Sequence, residues 1–196
     1  FYFFPAMQCN HGIISVDHGI RGEVELDGEK ISFDGGRGYL EKDWGSTFPT
    51  AWVWMQTNNF GQSGVSFTSS IATVPYMGIK STGYIIGLYD GRQLYRFTTY
   101  LPGRFKSLEA GKDQVEYTVK GGAGFLKVKA RMDGGASLVS PLKSGMEGRI
   151  TESLTAEISV EMRSRRGREI FRGTGTCAGL EIVGDIGLVK KGLFLK

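Results

Sequence analysis

The sequence predicts an all-β fold of antiparallel strands, with a closed barrel as the first expectation and a β-sandwich as the second. Three observations carry this. Apolar residues recur at period two, as in Leu154, Ala156, Ile158, Val160 and Met162. Turn dipeptides such as Asp27-Gly28, Asp90-Gly91 and Arg166-Gly167 separate strand-like runs at the roughly 8–12-residue spacing of sandwiches and barrels. Gly makes up 30 of the 196 residues against five Pro, a composition of tight turns and bulges rather than of Pro-rich linkers. A meander that closes on itself leaves no exposed edge, which places the barrel ahead of the sandwich.

The elements follow in order. Residues 13–16, 22–26 and 30–33 read as strands, the last two joined at Asp27-Gly28. Residues 38–43, 51–60, 64–74 and 83–89 come next, then 93–100 after Asp90-Gly91. Shorter runs fill 115–119 and 125–131. Residues 134–148, with SPLKSG, read as a loop. The last pair, 155–163 and 169–173, turns at Arg166-Gly167. No segment predicts a helix longer than two turns, and Asp185 before Gly187 reads as a turn or a barrel rim.

Length and composition bound the function. A chain of 196 residues suits one domain over residues 1–196. With 40% hydrophobic and 22% charged residues it can bury an ordinary core. A net charge of +4 is too small to predict a nucleic-acid partner, and the basic cluster RSRRGR (residues 163–168) reads as a solvated hairpin tip. Cys9 and Cys177 match no zinc or redox spacing and are expected as free thiols behaving as small buried apolar groups. No apolar run approaches the roughly 20 residues of a membrane helix. The expected location is cytoplasmic, with peripheral membrane contact left open. The opening FYFFPAM, aromatic and without an initial Met, reads as following something upstream.

The chemistry concentrates in GYLEKDWGSTFPTAWVWMQTNNF, residues 38–60, which holds all three tryptophans. Strand alternation puts Tyr39, Glu41 and Asp43 on one face and Leu40, Lys42 and Trp44 on the other. It likewise separates Trp52, Trp54, Gln56 and Asn58 from Ala51, Val53, Met55 and Thr57. If the two runs are neighbours, one inward surface gathers Tyr39, Glu41, Asp43, Trp52, Trp54, Gln56 and Asn58. A carboxyl group among indoles loses solvation and stays protonated at higher pH. Indole faces stabilise a nearby cation. Such a site can protonate an alkene and hold the carbocation, while Gln56 and Asn58 orient a hydroxyl. The same residues also fit a structural ion-pair network beside a tryptophan core, and the residues alone leave both readings open. His11 reads as a hydrogen-bonded turn or core residue. Two His and no Cys cluster predict no metal site.

The segment GGRGYLEKDWGSTFPTAWVWMQTNNF resembles the signature of the tocopherol cyclase family and its bacterial relatives. The stretch from Phe4 to Gly12 (FPAMQCNHG) and the stretch from Ala178 to Asp185 (AGLEIVGD) fit as well. The resemblance implies a lipocalin-like β architecture and cofactor-free, acid-catalysed cyclisation or hydration of a prenylated or isoprenoid substrate. A lipocalin-like protein that binds a prenylated or other apolar ligand without turnover is the alternative. The resemblance assigns the acid to Asp43 first and Glu41 second. It assigns cation stabilisation to Trp44, Trp52 and Trp54, and includes His11 in the matched segment. It also makes this chain the C-terminal half of a longer protein, packed against its upstream half or a second copy. Two positions depart from the family pattern: Asn59 stands where His is usual, removing one acid or base beside the site, and Asn10 stands where an aromatic is usual.

Overall fold

The computed structural model describes residues 7–76, 78–142 and 145–194. The aromatic opening at residues 1–6 and part of the expected 134–148 loop lie outside the described residues. Fourteen strands and one helix follow in order: β1 (Cys9–Gly19), β2 (Glu23–Leu26), β3 (Glu29–Ser32), β4 (Arg37–Gly45), β5 (Ala51–Thr57), β6 (Val65–Tyr76), β7 (Ile79–Asp90), β8 (Leu94–Thr98), β9 (Gly103–Ala110), β10 (Gln114–Gly121), β11 (Gly124–Arg131), β12 (Ala136–Leu142), β13 (Gly145–Arg163), β14 (Glu169–Val183) and α1 (Ile186–Phe194). The fold is all-β and antiparallel, as expected.

Ten strands form one sheet in the order β8-β7-β6-β5-β14-β13-β11-β10-β9, with β12 also on β13. The ladder does not close into a barrel, since β8 and β9 end the hydrogen-bonded order. The sheet instead coils until its inner faces meet. Tyr117 of β10 donates a 2.7 Å hydrogen bond to Ser69 of β6. Phe105 of β9 meets Tyr84 of β7 edge to face at 4.9 Å. At the seam side chains replace a ladder. Phe97 of β8 lies against Gly121 of β10, where a Cβ would come within 2.7 Å of the ring. The core between these faces comes from alternate positions such as Val53, Met55, Phe67, Ile86, Val128 and Ile158, all 0% exposed.

Four readings change. Residues 136–142 are not loop but β12, paired with β13. Leu154 does not share the buried face of Ala156–Met162. The register shifts between Ser153 and Ala156, so Ser153 is buried and Leu154 is 67% exposed. The residues after Asp185 form a nine-residue helix. Gly187 and Gly192 hide it from a propensity reading. The Asp185 carboxylate accepts from the Gly187 N–H at 2.8 Å, Val189 is fully buried, and Ile186 and Leu193 pack on the core. Cys9 and Cys177 are both free, but only Cys9 is buried. The RSRRGR stretch behaves as expected: Ser164–Arg168 is an exposed turn closed between Ser164 and Arg168, with Gly167 at φ 82°.

The strand β4 does not pair with β5. It pairs with β1, matching Asn10 to Trp44 and His11 to Asp43. This two-stranded ribbon lies over the outer face of β5 and β6. Tyr39 anchors it through a 2.9 Å hydrogen bond to Thr68 Oγ1, and Asn58 Nδ2 donates to the Arg37 carbonyl at 3.2 Å. A two-stranded ribbon is marginal alone and takes its order from the sheet beneath.

Candidate functional site

Strand β5 alternates between two environments. Ala51, Val53 and Met55 enter the core, while Trp52, Trp54 and Gln56 face the ribbon. Strand β14 pairs Glu181 with Trp54 and Gly179 with Gln56, so Glu181 emerges on the same outer face. The result is a cavity of about 370 Å³ between ribbon and sheet. His11, Glu41 and Asp43 line it from the ribbon, and Trp52, Trp54, Ser70 and Glu181 from the sheet. Of the predicted inward surface, the cavity brings together Glu41, Asp43, Trp52 and Trp54, but not Tyr39, Gln56 or Asn58. It lies on the outside of the coiled sheet, roofed by the ribbon, rather than in the sheet's interior.

The ribbon side carries a proton-sharing network. His11 Nδ1 and Asp43 Oδ1 are 2.8 Å apart, and His11 Nε2 stands 3.6 Å from Glu41 Oε2. The Tyr39 hydroxyl donates to Glu41 and is itself buried, so its own pKa rises, chiefly through desolvation. Burial opposes a charged His11, but the Asp43 hydrogen bond and the Glu41 and Asp43 charges outweigh it, raising its pKa above 6.5. Burial also raises Glu41 above 4.5, against the lowering pull of the Tyr39 hydroxyl and of His11. Asp43 is 45% exposed and committed to His11, whose side chain is only 14% exposed.

The sheet side holds one carboxyl group with a different environment. Glu181 accepts a hydrogen bond from the Trp52 indole N–H, and Trp52 is 8% exposed, with Phe48 edge-on at 5.6 Å. Burial, helped by the charges of Glu152, Asp43 and Glu41, pushes Glu181 up to about 7 against the Trp52 hydrogen bond. Glu181 was not singled out in the sequence reading. Its signal was present: AGLEIV is a strand with one acid among apolar residues. Its proximity to Trp52 depends on β14 pairing with β5, which local pattern does not reveal. Cys9 also lines the cavity, its thiol pushed up to about 11 by burial and the Asp43 charge.

The other predicted residues take supporting places. Trp44 sits on the opposite face of β4, with the Lys42 ammonium 5.8 Å from its ring, and does not line the cavity. Tyr39, Gln56 and Asn58 lie behind the described walls. Asn59 reaches away to Thr176 Oγ1 at 2.9 Å, so the departure at this position bears on the contact between the end of β5 and β14 and not on the cavity. Asn10 donates to the Trp44 carbonyl at 3.4 Å. Among the described residues, three buried polar nitrogens at the ribbon–sheet junction lack a hydrogen-bond partner: His11 Nε2, Trp54 Nε1 and Gln56 Nε2. The Trp54 N–H influences Glu41 but falls short of a hydrogen bond. His11, Glu41 and Asp43 also present donor atoms within 4.8 Å of one another, a set able to approach a metal ion. An ion there would displace the His11–Asp43 or the Tyr39–Glu41 bond.

The chain is 25% identical over 206 residues to a probable chloroplastic tocopherol cyclase of Oryza sativa subsp. japonica, covering 93% of this chain and 40% of the relative. It is 32% identical over 101 residues to a chloroplastic tocopherol cyclase of Zea mays, covering 50% of this chain and 21% of the relative. The chain thus spans less than half the length of these curated relatives. No solved structure matches it significantly. The family model described as tocopherol cyclase-like matches residues 3–184. The chain belongs to the tocopherol cyclase-like family.

Proposed function

We propose that the cavity under the ribbon catalyses cofactor-free ring closure of a prenylated phenol by proton addition to an alkene. The observation that carries this reading is the pair of half-buried glutamates with different partners around one indole-walled cavity. Among the described residues Glu181 has no cationic partner and one indole donor. Glu41 has the His11 ring and the Tyr39 hydroxyl. Burial raises both, and only Glu41 has beside it an imidazole that favours its carboxylate, which suits Glu181 to the acid role and Glu41 to the base.

Glu181, protonated near neutral pH, gives its proton to the less substituted alkene carbon. The cation that forms is held against the faces of Trp52 and Trp54. The phenol oxygen closes on that cation, and its proton passes to the Glu41 carboxylate. One proton enters and one leaves, so the product is an isomer of the substrate. His11, held by Asp43, has its protonated form favoured by the two carboxylates and stands beside Glu41. This division moves the acid from Asp43 to Glu181, because Asp43 is half exposed and paired with His11. The Trp54 indole N–H, which lacks a hydrogen-bond acceptor among the described residues, suits an oxygen of a hydroquinone head, since such a group costs about 1–3 kcal/mol when left unpaired.

Incubation of the chain with a prenylated hydroquinone tests the reading. The expected product has unchanged mass and a shifted chromatographic retention. Glu181→Gln should lower the rate about 10²- to 10⁴-fold with little loss of binding. Binding without any retention shift in the wild type would favour the alternative, a ligand carrier.

A further inference from the structure

The space under the ribbon continues past the acid site. A second cavity of about 270 Å³ runs along the same outer face over β6 and β7. It shares Cys9, His11, Ser70, Ala72 and Val74 with the first. Beyond that common wall its character changes. Among the described residues no Asp, Glu, Lys or Arg side chain lines it, and Met7, Tyr76 and Ile85 contribute to its apolar surface. The register places Ala72 directly opposite Gly83, so two of the smallest residues meet in the floor and leave depth for an occupant. Thioether and aromatic walls of this kind adapt to irregular hydrocarbon.

We propose that this second cavity binds the hydrocarbon arm of a ligand whose reacting end lies between Glu181 and Glu41. The placement of the head rests on the function proposed above, while the arm site rests on the second cavity itself. The shared wall matters chemically. A ligand lying across it exposes the atoms nearest its head to the acid and carries the rest away from the Glu181 and Glu41 carboxyl groups, neither of which lines the second cavity. A cation formed at the head end is then met by Trp52 and Trp54, and the remaining double bonds of the arm stay remote from Glu181. The length of arm accepted is set by Gly83 in the floor and Ser81 at the far rim, which are placed to determine specificity without touching the chemistry.

The test reads binding rather than turnover. Hydroquinones carrying no arm, one, two or three isoprene units are titrated into the wild-type chain, with quenching of indole fluorescence as the signal. Each buried methylene is worth about fourfold in affinity, so binding should strengthen with arm length and then level off. Gly83 has no positive φ, and Gly83→Leu fills the floor from a strand position. It should weaken the armed probes by about tenfold or more and leave the armless probe unchanged. Ser81→Phe, at an exposed rim, should weaken only the longest probe. As a control, Gly87→Ala enters a neighbouring hollow that shares His11 and Ile85 with the second cavity but neither Gly83 nor Ser81; its Cβ makes ordinary contacts at 3.5 and 3.6 Å, and it should change nothing. An affinity independent of arm length, equal losses for armed and armless probes, or a loss produced by Gly87→Ala would overturn the assignment. If Gly83→Leu fails to fold, Ser81→Phe decides alone. Turnover with a flat binding series sinks the arm site only. An arm-dependent series without turnover sinks the catalytic reading only.

Discussion

Glu181 carries the strongest single-residue consequence. Its carboxyl ionises at about 7 in the folded chain against an ordinary 4.5, mainly through burial. A raised carboxyl pKa means that folding disfavours the ionised form. The stability it contributes is complete below pH 4.5, declines as pH rises, and is gone above about 7. Glu181→Gln keeps an acceptor for the Trp52 N–H and removes the charge. It should melt with the wild type at pH 4 and exceed it by about 1–3 kcal/mol at pH 8, measured by thermal or denaturant unfolding. The same protonation sets activity. Turnover should fall above about pH 7 as the acid ionises, and fall again at low pH as Glu41 gains a proton. A rate still rising at pH 9 would remove Glu181 from the acid role. Among single residues, the sequence made Glu41, His11 and the two indoles Trp52 and Trp54 legible as candidates. It could not rank the carboxyl groups, because solvation depends on which strand covers which.

At the scale of elements, the site joins the β1–β4 ribbon to β5, β6 and β14 of the sheet, and the contact between β5 and β14 carries a strict requirement. Trp54 can lie flat on β14 only because residue 179 has no side chain. A Cβ there would stand 2.7 Å from the ring. Gly179→Val should displace Trp54 and cost about 1–3 kcal/mol, with a changed near-ultraviolet dichroism of the indoles. Gly122→Ala meets nothing within 4 Å and should leave both unchanged, which separates the packing effect from a general intolerance of substitution. The strands themselves were readable from alternation and turn dipeptides. The pairing partners were not. Asp27-Gly28 correctly joins β2 to β3, because a two-residue turn leaves the chain no other course. No such local rule governs the pairing of β1 with β4, across 17 intervening residues, or of β5 with β14.

The whole molecule depends on coiling rather than closure. The sheet has two ends, yet its inner faces are in contact, and Tyr117 joins β10 to β6 across the core. Tyr117 is fully buried, and removing its hydroxyl leaves Ser69 unpaired. Tyr117→Phe should destabilise the fold by about 1–3 kcal/mol in chemical denaturation, with the cavity under the ribbon intact because it lies on the opposite face. Loss of ligand binding in proportion to the lost stability would show instead that the site and the core unfold together.

The sequence by itself determined the strand content, most turn positions and the side-chain parity that sorts Trp52, Trp54 and Gln56 from Val53 and Met55. These follow from backbone geometry with a fixed period of two. It also carried the family membership, through a long motif rich in unusual residues. Only the tertiary structure decided which face of the sheet became the core and which became the site, that the roof would be a separate ribbon, and that Glu181 would join the cavity. Those outcomes depend on non-local pairing and on the desolvation it produces. Both are properties of the packed assembly of strands, and neither is written in any one of them.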